Sequence, residues 1–248
     1  MFKVISNRLE QGHKTSRYPQ EAIELHHRFR GLPEIDAACD PALVRQCAEC
    51  CPQQAILVDE RRIDLGRCTF CGLCEQVSKG AFVRFTNRFE LGAARREDLV
   101  TDGSLPELAA HAKSQFKRLF GRSLQLRQVS AGGCNACEAD TNVLNTPFFD
   151  LSRFGIDFVA SPRHADGIHV TGPITRNMRA ALLATYEAVP EPRVVIASGS
   201  CPISGGPFHG SAEIVGPLDS LLPVDLYIPG CPPHPLTTLH ALLAFFKR

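Results

Sequence analysis

Eleven cysteines are the residues of this 248-residue chain whose type and spacing could do chemistry. Seven of them lie between Cys39 and Cys74, and four are spread from Cys134 to Cys231. The start of the sequence lacks the apolar core of a signal peptide, so we expect a reducing compartment, in which disulfides are not the default use of cysteine. The two groups of cysteines therefore predict two metal-binding units.

The clearest motif of the first group places two residues between Cys68 and Cys71, and two more between Cys71 and Cys74. This is the spacing by which one loop binds three corners of a 4Fe-4S cluster, and in two-cluster ferredoxins the fourth ligand is a cysteine followed by proline. Cys51, which precedes Pro52, fits that description. The spacing predicts one cluster held by Cys51, Cys68, Cys71 and Cys74. Zinc is the alternative, although structural zinc sites usually take their ligands as two separated pairs.

The other half of this ferredoxin-like repeat is incomplete. Counting back from Cys51, the three ligand positions hold Cys47, Val44 and Pro41, and the position that would complete the set after Cys74 is Ser78. Since a complete set has four cysteines, we predict a single cluster in this unit and no second ferredoxin-type cluster. The alternative is an irregular site built from Ser78 and the remaining thiols, which are Cys39, Cys47 and Cys50.

The last four cysteines begin with the C-x-x-C pair Cys134 and Cys137 and continue with the distant Cys201 and Cys231. Each follows a glycine-containing turn at the end of a short apolar run, and ligands of parallel sheets gather where the strands end. We therefore expect these four thiolates to hold one further 4Fe-4S cluster. Four buried structural thiols, or a zinc ion, are the alternatives.

The elements that must position this second quartet alternate along the chain from residue 124. Short apolar runs separated by helical segments predict a parallel sheet with crossover helices, which is a small doubly wound α/β domain of the flavodoxin type. The predicted strands are residues 124–129, 156–160, 168–171, 194–197 and 224–228, and the predicted helices are residues 176–189 and 236–246.

The first quartet is flanked by apolar runs at residues 55–58 and 81–85, which predict small strands of a ferredoxin-like α+β unit. An amphipathic helical pattern at residues 105–120 predicts a linker helix. We therefore divide the chain into a ferredoxin-like unit with an N-terminal lead-in, a linker helix and an α/β unit, at residues 1–100, 101–123 and 124–248.

The composition narrows the possible functions. A net charge of +1 gives no reason to expect a nucleic acid or an anionic membrane as partner. No apolar run approaches the roughly 20 residues that cross a bilayer. We expect the protein to be cytosolic or peripheral to a membrane.

Residues 124–248 resemble the small subunit of membrane-bound nickel-iron hydrogenases of the formate hydrogenlyase type, and the homologous 20 kDa or B subunit of respiratory complex I. The first part of the chain is similar to the separate ferredoxin-like subunit of the same complexes. The segments that carry the first resemblance are Gly133-Cys134-Asn135-Ala136-Cys137, Ser161-Pro162-Arg163-His164-Ala165-Asp166, Val170-Thr171-Gly172-Pro173, Pro190-Glu191-Pro192-Arg193, Gly199-Ser200-Cys201-Pro202 and Val224-Asp225-Leu226-Tyr227-Ile228-Pro229-Gly230-Cys231-Pro232-Pro233.

The resemblance implies that two neighbouring subunits are fused into one oxidoreductase subunit, which passes electrons between two 4Fe-4S clusters. The catalytic centre would lie in a partner, a large subunit of the hydrogenase or complex I D-subunit type. Membrane subunits would hold the complex at the inner face of the cell membrane. Glu138, next to Cys137, would be either a proton relay or a simple loop carboxylate.

The spacing of Cys134 and Cys137 favours the hydrogenase branch, because the complex I subunit opens its quartet with adjacent cysteines. Three hypotheses remain open from the sequence. The first is the electron-transfer subunit of a hydrogenase-type complex. The second is the same role in a quinone-reducing or other dehydrogenase relative without nickel, and the third is a zinc scaffold without redox function.

Overall fold

A computed structural model of the chain describes residues 2–106, 108 and 123–246. Of the linker helix predicted at residues 105–120, only residues 105, 106 and 108 are among them. Within the described part of the chain, no helix has the length and apolar character needed to cross a membrane.

The C-terminal part contains a five-stranded parallel sheet, which confirms the predicted α/β class. Its strands, numbered along the chain, are β6 (Leu124–Ser130), β7 (Ile156–Phe158), β8 (Gly167–Thr171), β9 (Val194–Ser198) and β10 (Leu226–Ile228). They lie in the sheet in the order β10-β9-β8-β6-β7. Counted from one to five within this sheet, the order is the 2-1-3-4-5 arrangement of flavodoxin-like domains, in which the switch point lies between the first and third strands.

Helices cover both faces of this sheet, as a doubly wound fold requires. Successive residues of β9 alternate between two apolar clusters: Val194 and Ile196 pack in the cluster that contains the last helix, and Val195 and Ala197 pack in the cluster that contains Leu182. The helices of this part are Ala136–Val143, Arg176–Ala188, Ser200–Ser204 and Pro235–Phe246.

Each predicted strand of this sheet is present, with small differences at its ends. The last strand begins at Leu226, two residues later than predicted. Asp225 still bonds to the neighbouring strand: its backbone N–H donates to the carbonyl of Val195 at 2.9 Å, and its side-chain Oδ2 accepts the backbone N–H of Val195 at 3.0 Å. The carboxylate therefore serves as the acceptor for a strand N–H where the strand ends.

The N-terminal part is built from short strands and helices. The strands are β1 (Pro33–Ile35), β2 (Ile56–Leu57), β3 (Arg62–Asp64), β4 (Val83–Phe85) and β5 (Val100–Thr101), and the helices are Phe2–Gln11, Pro41–Cys50 and Leu73–Ser78. The strands form two small antiparallel sheets, with orders β1-β4 and β2-β3-β5. The predicted apolar runs at 55–58 and 81–85 correspond to β2 and β4. The lead-in also forms regular structure, since it contains the first helix and ends in β1.

The two parts share one apolar core. A single cluster of buried side chains contains Ile63 and Leu65 from the N-terminal part and Val170 and Ile203 from the C-terminal part. Ala93 and Tyr227 extend the contact by exchanging two backbone hydrogen bonds, of 2.9 and 2.8 Å. The packing therefore holds the N-terminal part against the edge strand β10 of the parallel sheet.

We expect Leu182→Ala to destabilise the chain by about 2 to 5 kcal/mol, because the fully buried side chain of Leu182 fills the core between the helix Arg176–Ala188 and the sheet. Urea unfolding would measure the loss. Glu187→Ala, at an exposed position of the same helix, is the control and should change the free energy of unfolding by less than about 0.5 kcal/mol. Equal effects of the two substitutions would contradict this packing.

Candidate metal centres

The four C-terminal cysteines of the predicted quartet come together around one small, mostly enclosed cavity. Cys134 follows β6, Cys137 lies in the first turn of the next helix, Cys201 follows β9, and Cys231 follows β10. All four positions are at the carboxyl ends of parallel strands, as the sequence predicted. Cys201 is buried, whereas Cys134 and Cys231 lie on the exposed side of the site.

Glycines keep space for the thiols of this cavity. A Cβ at Gly199 would lie 2.9 Å from the Sγ atom of Cys137, and a Cβ at Gly206 would lie 2.9 Å from the Sγ atom of Cys201. Both glycines have positive φ angles, of 105° and 50°, which residues that carry a side chain rarely adopt. Gly206 was not singled out by the sequence analysis, and no local motif distinguishes it from the other glycines of the chain.

Burial makes free thiolates unfavourable at this site. Burial and then the neighbouring charges of Cys231 and Cys134 raise the pKa of Cys201 to about 12, and the pKa of Cys137 is also raised, first by burial. Metal binding requires the deprotonated thiolate, so a cation must offset both effects. Four converging thiols with space between them fit an iron-sulfur cluster.

The N-terminal quartet lines a second small, mostly enclosed cavity. The four thiols share it with apolar side chains, and the lining includes Cys51, Cys68, Cys71, Cys74, Ile63 and Phe85. Two backbone N–H groups point at the sulfurs: Ala55 donates to Cys51 Sγ at 3.4 Å, and Phe70 donates to Cys68 Sγ at 3.3 Å. Such hydrogen bonds to ligand sulfurs are a usual feature of iron-sulfur sites. The residues of this cavity therefore also fit a cluster.

Burial also raises the pKa values of thiols in the N-terminal cavity. Burial is the largest cause that raises the pKa of Cys74 to about 12, and the nearby thiols of Cys51, Cys47 and Cys71 contribute. Burial likewise raises the pKa of Cys68. A bound cationic group would be needed before these side chains could act as thiolates.

The remaining thiols lie at the incomplete half of the repeat. Cys47 is completely buried, its Sγ donates to the carbonyl of Cys74 at 3.6 Å, and the Sγ of Cys50 donates to the carbonyl of Cys47 at 3.1 Å. Burial and then the thiols of Cys50 and Cys39 raise the pKa of Cys47, while a hydrogen bond with Ser78 lowers it. The fold thus brings the four members of the proposed irregular site near one another.

Val44 stands at one of the positions where a complete half-repeat would have a cysteine, and it is completely buried on the helix Pro41–Cys50. An apolar side chain here contributes to the core instead of binding a metal.

Among the described residues, no group of three or more His, Cys, Asp or Glu side chains is placed to hold a single metal ion.

Arg30 lies beside the N-terminal cavity and was not predicted from the sequence. Its guanidinium lies against the ligand loop, where a Cβ at Gly72 would be 2.6 Å from Nε, and Nη1 donates to the carbonyl of Phe70 at 3.4 Å. The lead-in that carries Arg30 has no metal-binding motif and was assigned no chemistry. Only the folding of the lead-in over the loop reveals the contact.

Glu138 is half-buried next to the C-terminal quartet and accepts a hydrogen bond of 2.7 Å from Thr171 Oγ1. Although burial opposes ionisation, hydrogen bonds with Ser130 and Thr171 lower the pKa of Glu138 below its ordinary value. The structure therefore gives this carboxylate a fixed position. Its role as a proton relay remains a prediction.

His169 lies behind Glu138 in the middle of β8 and is completely buried. Neither ring nitrogen has a hydrogen-bond partner among the described atoms, and the ring packs edge-on against Phe158 at 5.6 Å between centroids. Burial lowers the pKa of His169 to about 4, against the attraction of Glu138. The side chain is therefore neutral at physiological pH.

Comparison with known proteins places residues 134–245 in a known family, described as the NADH ubiquinone oxidoreductase 20 kDa subunit. The matched range includes the whole C-terminal quartet, from Cys134 to Cys231. The seven cysteines before residue 134 lie outside it.

Relatives of two kinds are similar to this chain. It is 42% identical over 135 residues to the protein named "Probable membrane-bound hydrogenase subunit mbhJ" of Pyrococcus furiosus, and the match covers 54% of this chain and 81% of that protein. It is 42% identical over 137 residues to formate hydrogenlyase subunit 7 of Escherichia coli, covering 55% of this chain and 54% of that protein. It is 46% identical over 117 residues to the B subunit of the NADH-quinone oxidoreductase of Carboxydothermus hydrogenoformans, covering 47% of this chain and 70% of that protein.

We expect His169 to make the folded chain less stable as the pH falls from 6.5 to about 4. In this range the unfolded chain takes up a proton on His169 and the folded chain does not, so stability falls by up to about 3 kcal/mol. Urea unfolding at several pH values should show that His169→Leu removes this part of the pH dependence. Phe158→Leu, which changes the ring packed against His169 but no titratable group, is the control and should leave the slope unchanged. A parallel pH profile for wild type and His169→Leu would contradict the burial of a neutral histidine.

Proposed function

From the fact that this chain belongs to the family of the NADH ubiquinone oxidoreductase 20 kDa subunit, we infer that it is an iron-sulfur electron-transfer subunit of a membrane-associated oxidoreductase complex. Its relatives are named as subunits of membrane-bound hydrogenase, formate hydrogenlyase and NADH-quinone oxidoreductase. The observation that carries the proposal for this chain is the convergence of eight cysteines on two small cavities. When bound, one 4Fe-4S cluster in each cavity would supply a one-electron carrier.

The C-terminal cluster would be held by Cys134, Cys137, Cys201 and Cys231. These residues would fix its position at the carboxyl edge of the parallel sheet, where the glycines leave room for it. Cys134 and Cys231 are on the exposed side of the cavity, so a partner could approach the site from there. We propose that this side faces the large subunit in which the chemistry takes place.

The N-terminal cluster would be held by Cys51, Cys68, Cys71 and Cys74. Ile63 and Phe85 would exclude water from it, and the two backbone N–H groups would stabilise the thiolates. Its role would be to exchange electrons with the C-terminal cluster. We propose that residues 1–100 and 124–248 correspond to two subunits that are separate proteins in related complexes, and that the shared core holds them at a fixed distance.

The partner is proposed to be a large catalytic subunit of the hydrogenase or complex I D-subunit type, with membrane subunits completing the complex at the inner face of the cell membrane. The two-residue spacing of Cys134 and Cys137 favours the hydrogenase type. The second candidate is the same relay in a quinone-reducing or other complex without nickel. Nickel ligands in the sequence of the partner, as two C-x-x-C pairs, would support the first candidate, and their absence would support the second.

The zinc-scaffold hypothesis makes an opposite prediction for the purified chain. An iron-sulfur protein should contain iron and sulfide and show paramagnetic resonance signals on reduction. Zinc in their place, with no such signal, would refute the electron-transfer proposal.

We expect the full chain to contain about eight iron atoms, and Cys201→Ala to contain about four, because the substitution removes one ligand of the C-terminal cluster only. Elemental analysis and paramagnetic resonance of the reduced protein would measure the loss of one cluster and the retention of the other. Cys50→Ala, next to the N-terminal quartet but outside it, is the control and should keep about eight iron atoms.

A content of about twelve iron atoms would contradict the two-cluster proposal and assign a third cluster to the site of Cys39, Cys47, Cys50 and Ser78. Retention of both clusters in Cys201→Ala would contradict the ligand assignment.

A further inference from the structure

Two serine hydroxyls connect the two cysteine sites. The helix Ser200–Ser204, which carries Cys201, is buried along its whole length, and its first and last residues lie one turn apart. Ser200 Oγ donates to the carbonyl of Cys68 at 2.9 Å, and Ser204 Oγ donates to the carbonyl of Gly66 at 3.0 Å. Both acceptors belong to the segment that enters the N-terminal ligand loop.

The backbones approach closely at this contact. A Cβ at Gly66 would lie 2.7 Å from the side chain of Ile203 and 2.9 Å from that of Arg96, so a larger residue does not fit. Arg96 in turn holds Asp64 through two hydrogen bonds, of 2.9 and 2.6 Å, and Asp64 Oδ1 accepts the backbone N–H of Gly66 at 2.9 Å. The turn that presents the two carbonyls is therefore fixed from both sides.

Ser200 differs from Ser204 in what it connects. Its acceptor is the carbonyl of Cys68 itself, and Ser200 is the chain neighbour of Cys201. Its Oγ also lies 3.1 Å from the carbonyl of Gly230, which precedes Cys231 and already accepts the backbone N–H of Ser200 at 2.8 Å. One hydroxyl thus links a cysteine of the N-terminal quartet to the backbone of two cysteines of the C-terminal quartet.

We propose that Ser200 is a positioning residue for electron transfer, whose hydroxyl forms a direct bonded route between the two cluster sites. The route runs from Cys68 through a single hydrogen bond to Ser200 and along the chain to Cys201. Electron tunnelling falls off more slowly along covalent and hydrogen bonds than across a gap between atoms in contact. Loss of this hydrogen bond would therefore slow the transfer without removing a ligand. This proposal rests on the proposed function, since it requires a cluster in each cavity.

The test compares Ser200→Ala with wild type in the full chain loaded with both clusters. Iron analysis and paramagnetic resonance would first verify that both clusters are present. The N-terminal cluster would then be reduced in a rapid photochemical step, and freeze-quenched resonance spectra would follow the arrival of the electron at the C-terminal cluster. We expect Ser200→Ala to slow this arrival several-fold, and Ser200→Thr, which retains a hydroxyl, to restore most of the rate.

Ser204→Ala is the matched control. It removes a hydroxyl from the same buried helix, where Ser204 Oγ lies 3.0 Å from the carbonyl of Gly66 and 3.0 Å from the carbonyl of Ser200, but neither acceptor belongs to a cysteine. It should transfer electrons at nearly the wild-type rate even if it lowers stability as much as Ser200→Ala does. An unchanged rate in Ser200→Ala, or equal slowing in Ser204→Ala, would overturn the proposal.

If Ser200→Ala fails to load both clusters, the comparison is made between Ser200→Thr and Ser200→Val, which have nearly the same shape although only threonine has a hydroxyl. Equal transfer rates in these two variants would overturn the proposal. Absence of either cluster from the wild-type chain would instead refute the proposed function, and it is detected before any rate is measured.

Discussion

The constraint on which the rest of the structure depends is the gathering of four cysteines in each of two small, mostly enclosed cavities. Burial and mutual repulsion disfavour the thiolate form, as the raised pKa values of Cys74 and Cys201 show. A cationic group in each cavity would reverse that penalty, and its binding free energy would then become folding free energy. The apolar lining of the N-terminal cavity and the glycines of the C-terminal cavity are consistent with sites built around a group larger than a single ion.

The two sites bring their four cysteines together through different local structures. At the N-terminal site one loop supplies three thiols, and short strands with apolar side chains close over it. At the C-terminal site the thiols come from three loops that meet only because parallel strands end at the same edge of the sheet. Gly199 and Gly206 leave room at that edge, because a Cβ at either position would clash with the sulfur of Cys137 or Cys201. The N-terminal site therefore depends on the spacing of cysteines in the sequence, and the C-terminal site depends on the topology of the sheet.

The contact between the two parts of the chain gives the proposed relay its geometry. A core that includes side chains of both parts, the paired backbone of Ala93 and Tyr227, and the hydroxyls of Ser200 and Ser204 hold the cavities in a fixed relation. The proposed relay needs a fixed separation between its two centres, and a single chain with a shared core provides it. The incomplete half-repeat fits the same picture, because Val44 there contributes to the core instead of to a metal site.

The sequence by itself determined which cysteines form sets and what kind of sheet positions the second set. The spacing of Cys68, Cys71 and Cys74 is local information, and so is each apolar run that became one of the strands β6 to β10. Only the tertiary structure decided which side chains from distant segments meet: Arg30 against the ligand loop, Ser200 against the carbonyl of Cys68, and Cys39 beside Cys47. The reason is physical, since periodicity and motif spacing report the conformation of a segment, whereas contacts between segments depend on how complete faces pack against each other.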